Sequence, residues 1–274
     1  MISGPALLFC PGDRPDRYGK AAQAADTVII DLEDAVALHA KPAARRALIA
    51  SELDPSRTIV RVNPRSTGLL DDDLAALHQT GYRHIALAKA ETLDDLAALE
   101  GFDVLAICES PLGVRNAEMI AESSVVVALT WGAEDLVAAM GGTSSRHADG
   151  SYRAYAMYAR SRVLIASTSA GKSAFDTVHL DIADDEGLRD EASDAAASGF
   201  AGAMCIHPRQ VEIIRGAFRP SDESVAWAHG VLQAAAAIPE GVFAYDGRMI
   251  DEPVLRQARR IVGLAAPTSS DEAI

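Results

Sequence analysis

The strongest constraint on the fold is an alternation along the chain between short apolar runs and longer segments with helical periodicity. We predict eight strands from the apolar runs, at residues 6–10, 27–32, 58–63, 84–89, 104–109, 124–130, 177–182 and 202–207. Nearly every position in these runs is apolar, which is typical of parallel strands covered on both faces. The segments between them, such as 41–53, 69–81, 92–101, 151–171 and 186–199, are rich in Ala, Leu and charge, and several end at Gly, the usual helix stop. Eight such units predict a closed (β/α)8 TIM barrel, with a doubly wound open sheet as the alternative.

The chain continues past the last predicted strand. Residues 220–274 read as a helix, an exposed Gly-containing turn or hairpin, and a second helix, followed by a polar end, "PTSSDEAI", that is predicted to fray. We therefore predict a barrel over residues 1–219 and a C-terminal extension over 220–274. Because a barrel is complete without the extension, we expect it to pack elsewhere, on an adjacent subunit, and to cover that subunit's active site.

Charge and cysteine placement narrow the partners and the compartment. The formal net charge of -14 disfavours a nucleic acid or an anionic membrane as partner, since both require clustered Lys and Arg. Cys10, Cys108 and Cys205 each lie inside an apolar run, as buried reduced thiols do. The start of the chain lacks the pattern of a signal peptide, and no apolar run is long enough for a membrane span. We expect a cytoplasmic protein.

Polar side chains stand where the predicted strands end. In a (β/α)8 barrel the carboxyl ends of the strands build the active site, so residues there are the candidates for function. The candidates are Asp31, Glu33 and Asp34 after strand two, Arg61 and Asn63 in strand three, Lys89 at the end of strand four, Glu109 at the end of strand five, Glu134 and Asp135 after strand six, and His207 at the end of strand eight. Any one of them alone is more typical of a rim salt bridge or a helix cap.

Convergence of several carboxylates favours a cation site. Carboxylates facing one mouth repel one another unless a cation lies among them or one keeps its proton. Glu109 and Asp135 are the better ligand candidates for Mg2+, which uses one or two carboxylates and keeps waters or substrate oxygens. Glu134 is the alternative ligand, although acids at a helix start also stabilise the helix dipole. Arg61 is embedded in a strand, where we expect it to meet an anion such as a substrate carboxylate or an enolate.

Several common enzyme classes have no support in the sequence. The Gly-rich segment 141–150 and the segment 167–173 lack the spacing and context of a Walker phosphate loop. There is no G-x-S-x-G elbow and no H-E-x-x-H motif, which leaves serine hydrolase and zincin interpretations without a basis. Arg14, Arg17 and Lys20 form a basic turn that is able to meet phosphate.

Seven segments carry a family resemblance: "LLFCPGDRP", "DTVIIDLEDAV", "RVNP", "ICESPLGV", "WGAEDLVAAMGG", "GFAGAMCIHPRQV" and "DGRMIDEPVLRQARRI". The segments span nearly the whole chain in order. In them the chain resembles the citrate lyase β-subunit-like proteins of the HpcH/HpaI aldolase/citrate lyase superfamily. The resemblance implies a barrel of the phosphoenolpyruvate/pyruvate-binding type. It also implies a Mg2+-dependent carbon-carbon lyase, or a Claisen-type enzyme, acting on a 3-hydroxyacyl thioester, commonly of coenzyme A.

Roles for individual residues follow from the resemblance. By motif position, Glu109 and Asp135 match the metal ligands, and Arg61 matches the substrate-binding cation of the catalytic site. Asp251, in "RMIDEP", matches an acid that relatives deliver from the C-terminal segment of an adjacent subunit. Relatives commonly assemble as trimers or hexamers, so a homo-oligomer is implied.

Other positions receive supporting roles from the resemblance. Arg14, Lys20 and His207 match CoA contacts by motif position alone. Glu33 and Asp34 are assigned to an acidic layer behind the ligands, which holds metal-bound waters or orients Arg61 or Lys89. Asp31 is assigned a structural role at the end of its strand.

Two departures from the family pattern bear on the substrate. Ala88 precedes Lys89 where many relatives have Pro, and Asp34 stands where the hydroxy-ketoacid aldolase branch carries a His. The second departure favours the thioester branch, with malyl-, citramalyl- or hydroxymethylglutaryl-type CoA thioesters as first choice. Two alternatives stay open: the β subunit of a citrate lyase complex acting on citryl-acyl-carrier protein, and a non-catalytic CoA-binding or interaction subunit.

Overall fold

The computed structural model of the chain describes residues 2–237 and 241–265. Eight parallel strands close into a barrel in sequence order, with β1 pairing β8. The strands are β1 Ala6–Pro11, β2 Thr27–Asp31, β3 Thr58–Val62, β4 His84–Leu87, β5 Asp103–Cys108, β6 Val126–Trp131, β7 Ser173–Asp176 and β8 Gly202–Cys205. The predicted (β/α)8 TIM barrel is therefore confirmed.

Helices follow the strands and cover the outside of the barrel. They are α1 Pro15–Ala24, α2 Lys41–Ile49, α3 Leu70–Leu77, α4 Leu93–Ala97, α5 Pro111–Arg115, α6 Ala117–Glu122, α7 Ala133–Ala139, α8 Ala154–Ser169, α9 Asp185–Ser198 and α10 Pro208–Phe218. Local sequence fixes several of their ends. Thr92 and Asp95 form a reciprocal capping box at the start of α4, and the Ser110 side chain accepts from the Gly113 N–H at the start of α5. Gly199 ends α9 at a φ of 107°, a left-handed conformation that favours Gly.

The interior of the barrel is filled by side chains from all eight strands. The buried cluster comprises Leu7, Ile29, Ile59, Ala86, Leu105, Ile107, Ala128, Phe175 and Met204. Because β-strand side chains alternate between two faces, the residues next to these in sequence point outward onto the helices. The interior of the barrel is thus a packed core. We call the end formed by the loops at the carboxyl ends of the strands the mouth.

The prediction of strand seven was wrong. The seventh strand is β7, Ser173–Asp176, whereas residues 177–182 follow it as a loop at the mouth. Strand β7 pairs with β6 through Ser173, Ala174 and Phe175, and this register ends the strand at Asp176. Leu180 and Ile182 are 52% and 41% exposed, so the β-branched pattern of the loop does not reflect a buried strand. Only four residues form the true strand, and two of them are polar, which made its signal weaker than that of the loop.

The C-terminal region forms a compact unit of its own. The chain divides into units Met1–Arg215 and Gly216–Ile274. The second unit contains helix α11 Asp222–Ala236, an antiparallel hairpin of β9 Phe243–Tyr245 and β10 Arg248–Ile250, and helix α12 Glu252–Ala265. This order is the predicted helix, hairpin and helix. The residues predicted to fray, 267–274, lie outside the described residues.

Two features of the second unit explain its local structure. Its core is formed by Ala228, Val231, Ile250 and Ala258, which α11, β10 and α12 bury against one another. Asp246 and Gly247 have φ values of 49° and 72°, so both turn residues are left-handed, as a two-residue hairpin turn requires. Among the described residues no helix has the length and apolarity needed to cross a membrane.

Candidate active site

Four carboxylates at the mouth gather around one lysine. We call Glu33, Asp34, Glu109 and Asp135 the carboxylate cluster; they follow β2, β5 and β6. The Lys89 Nζ lies 2.5 Å from Glu33 Oε1, 3.3 Å from Asp34 Oδ2 and 3.4 Å from Asp135 Oδ1. The main-chain N–H of Lys89 donates to Glu109 Oε1 at 2.9 Å. The side chains expected to converge from separate strand ends therefore do so.

Glu109 is the most buried member of the cluster. Its strand β5 pairs with β6 up to Cys108 and Trp131, which brings Glu109 beside Gly132. A Cβ atom at position 132 would lie 2.8 Å from Glu109 Oε2, so only Gly leaves room for this carboxylate. Burial, assisted by the charge of Asp135, raises the pKa of Glu109 to about 8, although Arg61 and Lys89 oppose the shift. The group therefore keeps its proton at neutral pH unless a further cation is present.

Glu109 and Asp135 fit a hard divalent cation. Both offer carboxylate oxygens from neighbouring strand ends, and Asp135 remains one-third exposed to solvent. Among residues 2–237 and 241–265, no group of three or more His, Cys, Asp and Glu is arranged to hold a metal ion. A cation held by these two carboxylates would complete its coordination with water or substrate oxygens, the arrangement that Mg2+ prefers.

Arg61 is oriented by Asp31. The two residues are register partners in β3 and β2, and the guanidinium Nε and Nη2 donate to the two Asp31 oxygens at 2.7 and 2.6 Å. The guanidinium also lies over the Phe9 ring, 4.7 Å from its centre, and Nη2 is 3.4 Å from Glu33 Oε2. Asp31 of the chain itself pairs with Arg61, and the expectation that Arg61 also meets a substrate anion stays a prediction. Asp31 holds the cation in a fixed direction beside the carboxylate cluster.

Asp31 also shapes the loop after β2. Its Oδ1 accepts from the Glu33 N–H at 2.8 Å, and its Oδ2 accepts from the Ala35 N–H at 3.0 Å. With the two bonds from Arg61, this buried carboxylate accepts four hydrogen bonds. The structural role predicted for Asp31 is therefore joined to the positioning of both Arg61 and Glu33.

Lys41 is a positioning residue that sequence reasoning missed. It lies at the start of α2, is 7% exposed, and donates to Leu32 O at 2.7 Å, Glu33 O at 2.9 Å and Asn63 Oδ1 at 2.8 Å. Asn63 in turn donates to Asp73 Oδ2 at 2.6 Å. This buried chain of bonds fixes the main chain from which Glu33 projects. The sequence did contain a signal for this role. The helix dipole disfavours a Lys in the first turn of a helix, so a Lys at that position indicates other, favourable contacts.

Replacing Lys41 with Met is expected to destabilise the protein by about 3 kcal/mol, because three buried oxygens lose their shared donor. Urea unfolding measures the change. Lys172→Met is the control: Lys172 is half-buried, donates to one carbonyl, Ser123 O, and precedes β7 at the opposite end of the barrel. Equal losses in the two variants would contradict the role assigned to the Lys41 bonds.

Glu134 and the loop 141–153 are tied together. Ser145 Oγ donates to Glu134 Oε1 at 2.6 Å, and Ser145 is 2% exposed. The carboxylate of Glu134 thus anchors the long loop after α7, and its alternative assignment as a cation ligand stays a prediction. Sequence alone could not separate the two adjacent acids.

The three candidates for CoA contact are exposed. Arg14 precedes α1 and pairs with Asp16 at 3.0 Å, and Lys20 lies on the exposed side of α1. His207 follows β8, and its Nδ1 accepts from the Arg209 N–H at 3.2 Å. Their role in CoA binding stays a prediction.

Asp251 lies in the C-terminal unit, directly after β10. Its Oδ1 accepts from the Val254 N–H at 3.3 Å, so it caps the start of α12. Its assignment as an acid delivered to an adjacent subunit stays a prediction.

The fold and this site together define a class: parallel (β/α)8 barrels with a cluster of carboxylates at the mouth and an ion-paired arginine beside it. The model of the HpcH/HpaI aldolase/citrate lyase family matches residues 6–102 and 98–208, and the chain belongs to this family.

Named relatives and a solved structure share nearly the full length of the chain. A citrate lyase subunit beta-like protein of Mycobacterium tuberculosis is 49% identical over 269 residues, which cover 98% of each chain. The mitochondrial citramalyl-CoA lyase of Homo sapiens is 29% identical over 293 residues, covering 95% of this chain and 85% of that protein. A crystal structure of protein CitE from M. tuberculosis in complex with magnesium, acetoacetate and coenzyme A superposes with a TM-score of 0.92 at 49% identity, covering 96% of this chain and 98% of that one.

Proposed function

We propose that the chain is a Mg2+-dependent carbon-carbon lyase acting on a 3-hydroxyacyl-CoA thioester of the malyl, citramalyl or hydroxymethylglutaryl type. It cleaves the C2–C3 bond of this thioester, or forms that bond by Claisen-type condensation. The observation that carries the proposal is the pair Glu109 and Asp135 at the mouth, with the Arg61 and Lys89 cations beside it. The magnesium and coenzyme A bound to the M. tuberculosis CitE structure and the activity named for the human relative support it.

The residues of the chain divide the chemistry among them. Glu109 and Asp135 would hold Mg2+, which would supply Lewis acidity to stabilise negative charge on substrate oxygen. Arg61, fixed by Asp31, adds a positive charge that does not have to reorient as the reaction proceeds. During cleavage the 3-hydroxyl gives its proton to the Asp251 carboxylate of an adjacent subunit, the C2–C3 bond breaks as the carbonyl forms, and the electron pair of that bond passes into the acetyl thioester as an enolate. Asp251 then delivers this proton to C2 of the enolate, and in the condensation direction it removes the proton from C2.

The proposal extends to assembly and location. A homotrimer or hexamer would let the C-terminal unit of one subunit bring Asp251 to the mouth of another. Arg14, Lys20 and His207 then contact the CoA part, and Glu33 and Asp34 support the metal site from behind. We place the protein in the cytoplasm, consistent with its three buried free thiols.

The experiment that tests the proposal compares two forms of substrate. The purified chain, supplied with Mg2+, is given malyl-, citramalyl- and hydroxymethylglutaryl-CoA, and separately citryl-acyl-carrier protein. Cleavage of a free CoA thioester is the expected result. Activity with the carrier-bound thioester alone would make the chain the β subunit of a citrate lyase complex, the alternative that the name of the M. tuberculosis relative favours.

Mg2+ binding is expected to release a proton. Since the pKa of Glu109 is raised to about 8, the carboxyl must lose its proton to bind the cation, and affinity should fall up to about tenfold per pH unit below that value. Calorimetric titration near pH 7 in two buffers of different ionisation enthalpy measures the number of protons released. Nearly one proton per Mg2+ is expected there, and almost none well above the pKa. An affinity that does not vary on the acid side of the pKa would rule out Glu109 as a ligand.

A further inference from the structure

Lys89 has an unusual backbone for its residue type. Its φ is 50°, in the left-handed region that non-Gly residues seldom adopt, and among the described residues only Asp246 shares this among non-Gly positions. The conformation is held by two bonds: the Lys89 N–H donates to Glu109 Oε1 at 2.9 Å, and the N–H of Ala90 donates to Ile107 O at 3.0 Å. Such strain persists where the surrounding structure enforces it and is concentrated at functional sites.

The turn sends the Lys89 side chain into the carboxylate cluster. Its ammonium contacts Glu33, Asp34 and Asp135, while its main chain contacts Glu109. One residue therefore contacts all four carboxylates, and it touches both proposed ligands. Arg61 does not play the same part, because its shortest hydrogen bonds are to Asp31.

We infer that Lys89 sets the affinity of the mouth for the divalent cation by acting as a resident positive charge among the four carboxylates. The inference rests on the proposed function for the identity of the cation. An ammonium 3.4 Å from Asp135 repels a cation bound to that oxygen, so it keeps binding weaker than four carboxylates alone would give. The same charge offsets the repulsion among the carboxylates and so stabilises the mouth when no divalent cation is bound.

Lys89→Met tests this assignment, because it removes the charge and keeps much of the side-chain volume. Mg2+ is titrated calorimetrically into both proteins at the same pH of about 9, which limits proton competition at Glu109 in the wild type. We expect Mg2+ to bind at least about tenfold more tightly to Lys89→Met than to the wild type. Without added divalent cation, the melting temperature of the variant should fall below that of the wild type and recover as Mg2+ is added.

Two controls separate charge from packing. Lys89→Arg keeps the positive charge and should retain weak, wild-type-like affinity, and Lys172→Met makes the same change at the far end of the barrel and should leave affinity unaltered. Unchanged or weaker Mg2+ binding by Lys89→Met overturns the inference. A wild type that binds no Mg2+ contradicts the proposed metal site and the role of Lys89 together, whereas binding without turnover contradicts the proposed lyase activity alone.

Discussion

Glu109→Gln is expected to lower turnover by at least about 1000-fold and to abolish measurable Mg2+ binding. The amide has the shape of the carboxyl, so it still fits beside Gly132 and still accepts the Lys89 N–H. What it lacks is the negative charge that holds the cation. Because a buried Glu that is mostly protonated near neutral pH is replaced by a neutral isostere, stability without metal should be retained or improved.

The matched control for Glu109 is Glu134→Gln. Glu134 also lies at the mouth, and its carboxylate accepts the hydroxyl of Ser145. Its turnover should stay within about tenfold of the wild type, since the amide can still accept the Ser145 hydroxyl. Turnover of Glu109→Gln comparable to that of Glu134→Gln would remove Glu109 from the metal site.

Asp251→Asn is expected to lower turnover by about 100-fold or more while leaving Mg2+ affinity unchanged, because Asp251 is proposed to move a proton and not to hold the metal. Asn caps a helix start as well as Asp does, so the bond from the Val254 N–H and the stability of α12 should survive. Loss of turnover with intact folding and metal binding would then report on the carboxyl group itself. Steady-state kinetics and calorimetry on the same preparation measure both quantities.

Asp246→Asn is the control for Asp251. It makes the same chemical change in the same unit, at a turn position whose φ of 49° Asn tolerates well. It should be indistinguishable from the wild type in turnover. If Asp251→Asn also retains wild-type turnover, the acid delivered from the C-terminal unit has no part in the mechanism.

The barrel could be predicted because one requirement applies to every strand along the chain. Seven strands were found from nearly continuous apolar runs, which both-face burial in a parallel sheet requires. Strand β7 was missed because two of its four residues, Ser173 and Asp176, are polar, and the Asp176 carboxylate binds Trp131 and Arg160 inside the fold. Such partners come from distant parts of the sequence, so a local pattern carries no trace of them.

The candidate site was predictable in composition but not in pairing. The rule that strand ends face one mouth brought Glu33, Lys89, Glu109 and Asp135 into one set, and the structure brings them together. Pairing depends on register, and the alignment of Asp31 with Arg61 is a property of how β2 and β3 are offset.

Two further supports of the site also depended on geometry. The need for Gly at position 132 comes from the approach of a side chain 23 positions earlier, Glu109. Lys41 supports the site through three neutral oxygens, which no charge pattern indicates.

The most direct test of the central claim is the stoichiometry of products from one CoA thioester. The purified chain is incubated with the thioester and Mg2+, then with a chelator, then with Mg2+ restored, and acetyl-CoA, the carbonyl acid and free CoA are quantified. The account predicts one acetyl-CoA and one carbonyl acid for each thioester consumed, with loss of activity on chelation and recovery on adding Mg2+. Release of free CoA in place of acetyl-CoA, or turnover that persists in the chelator, would contradict it.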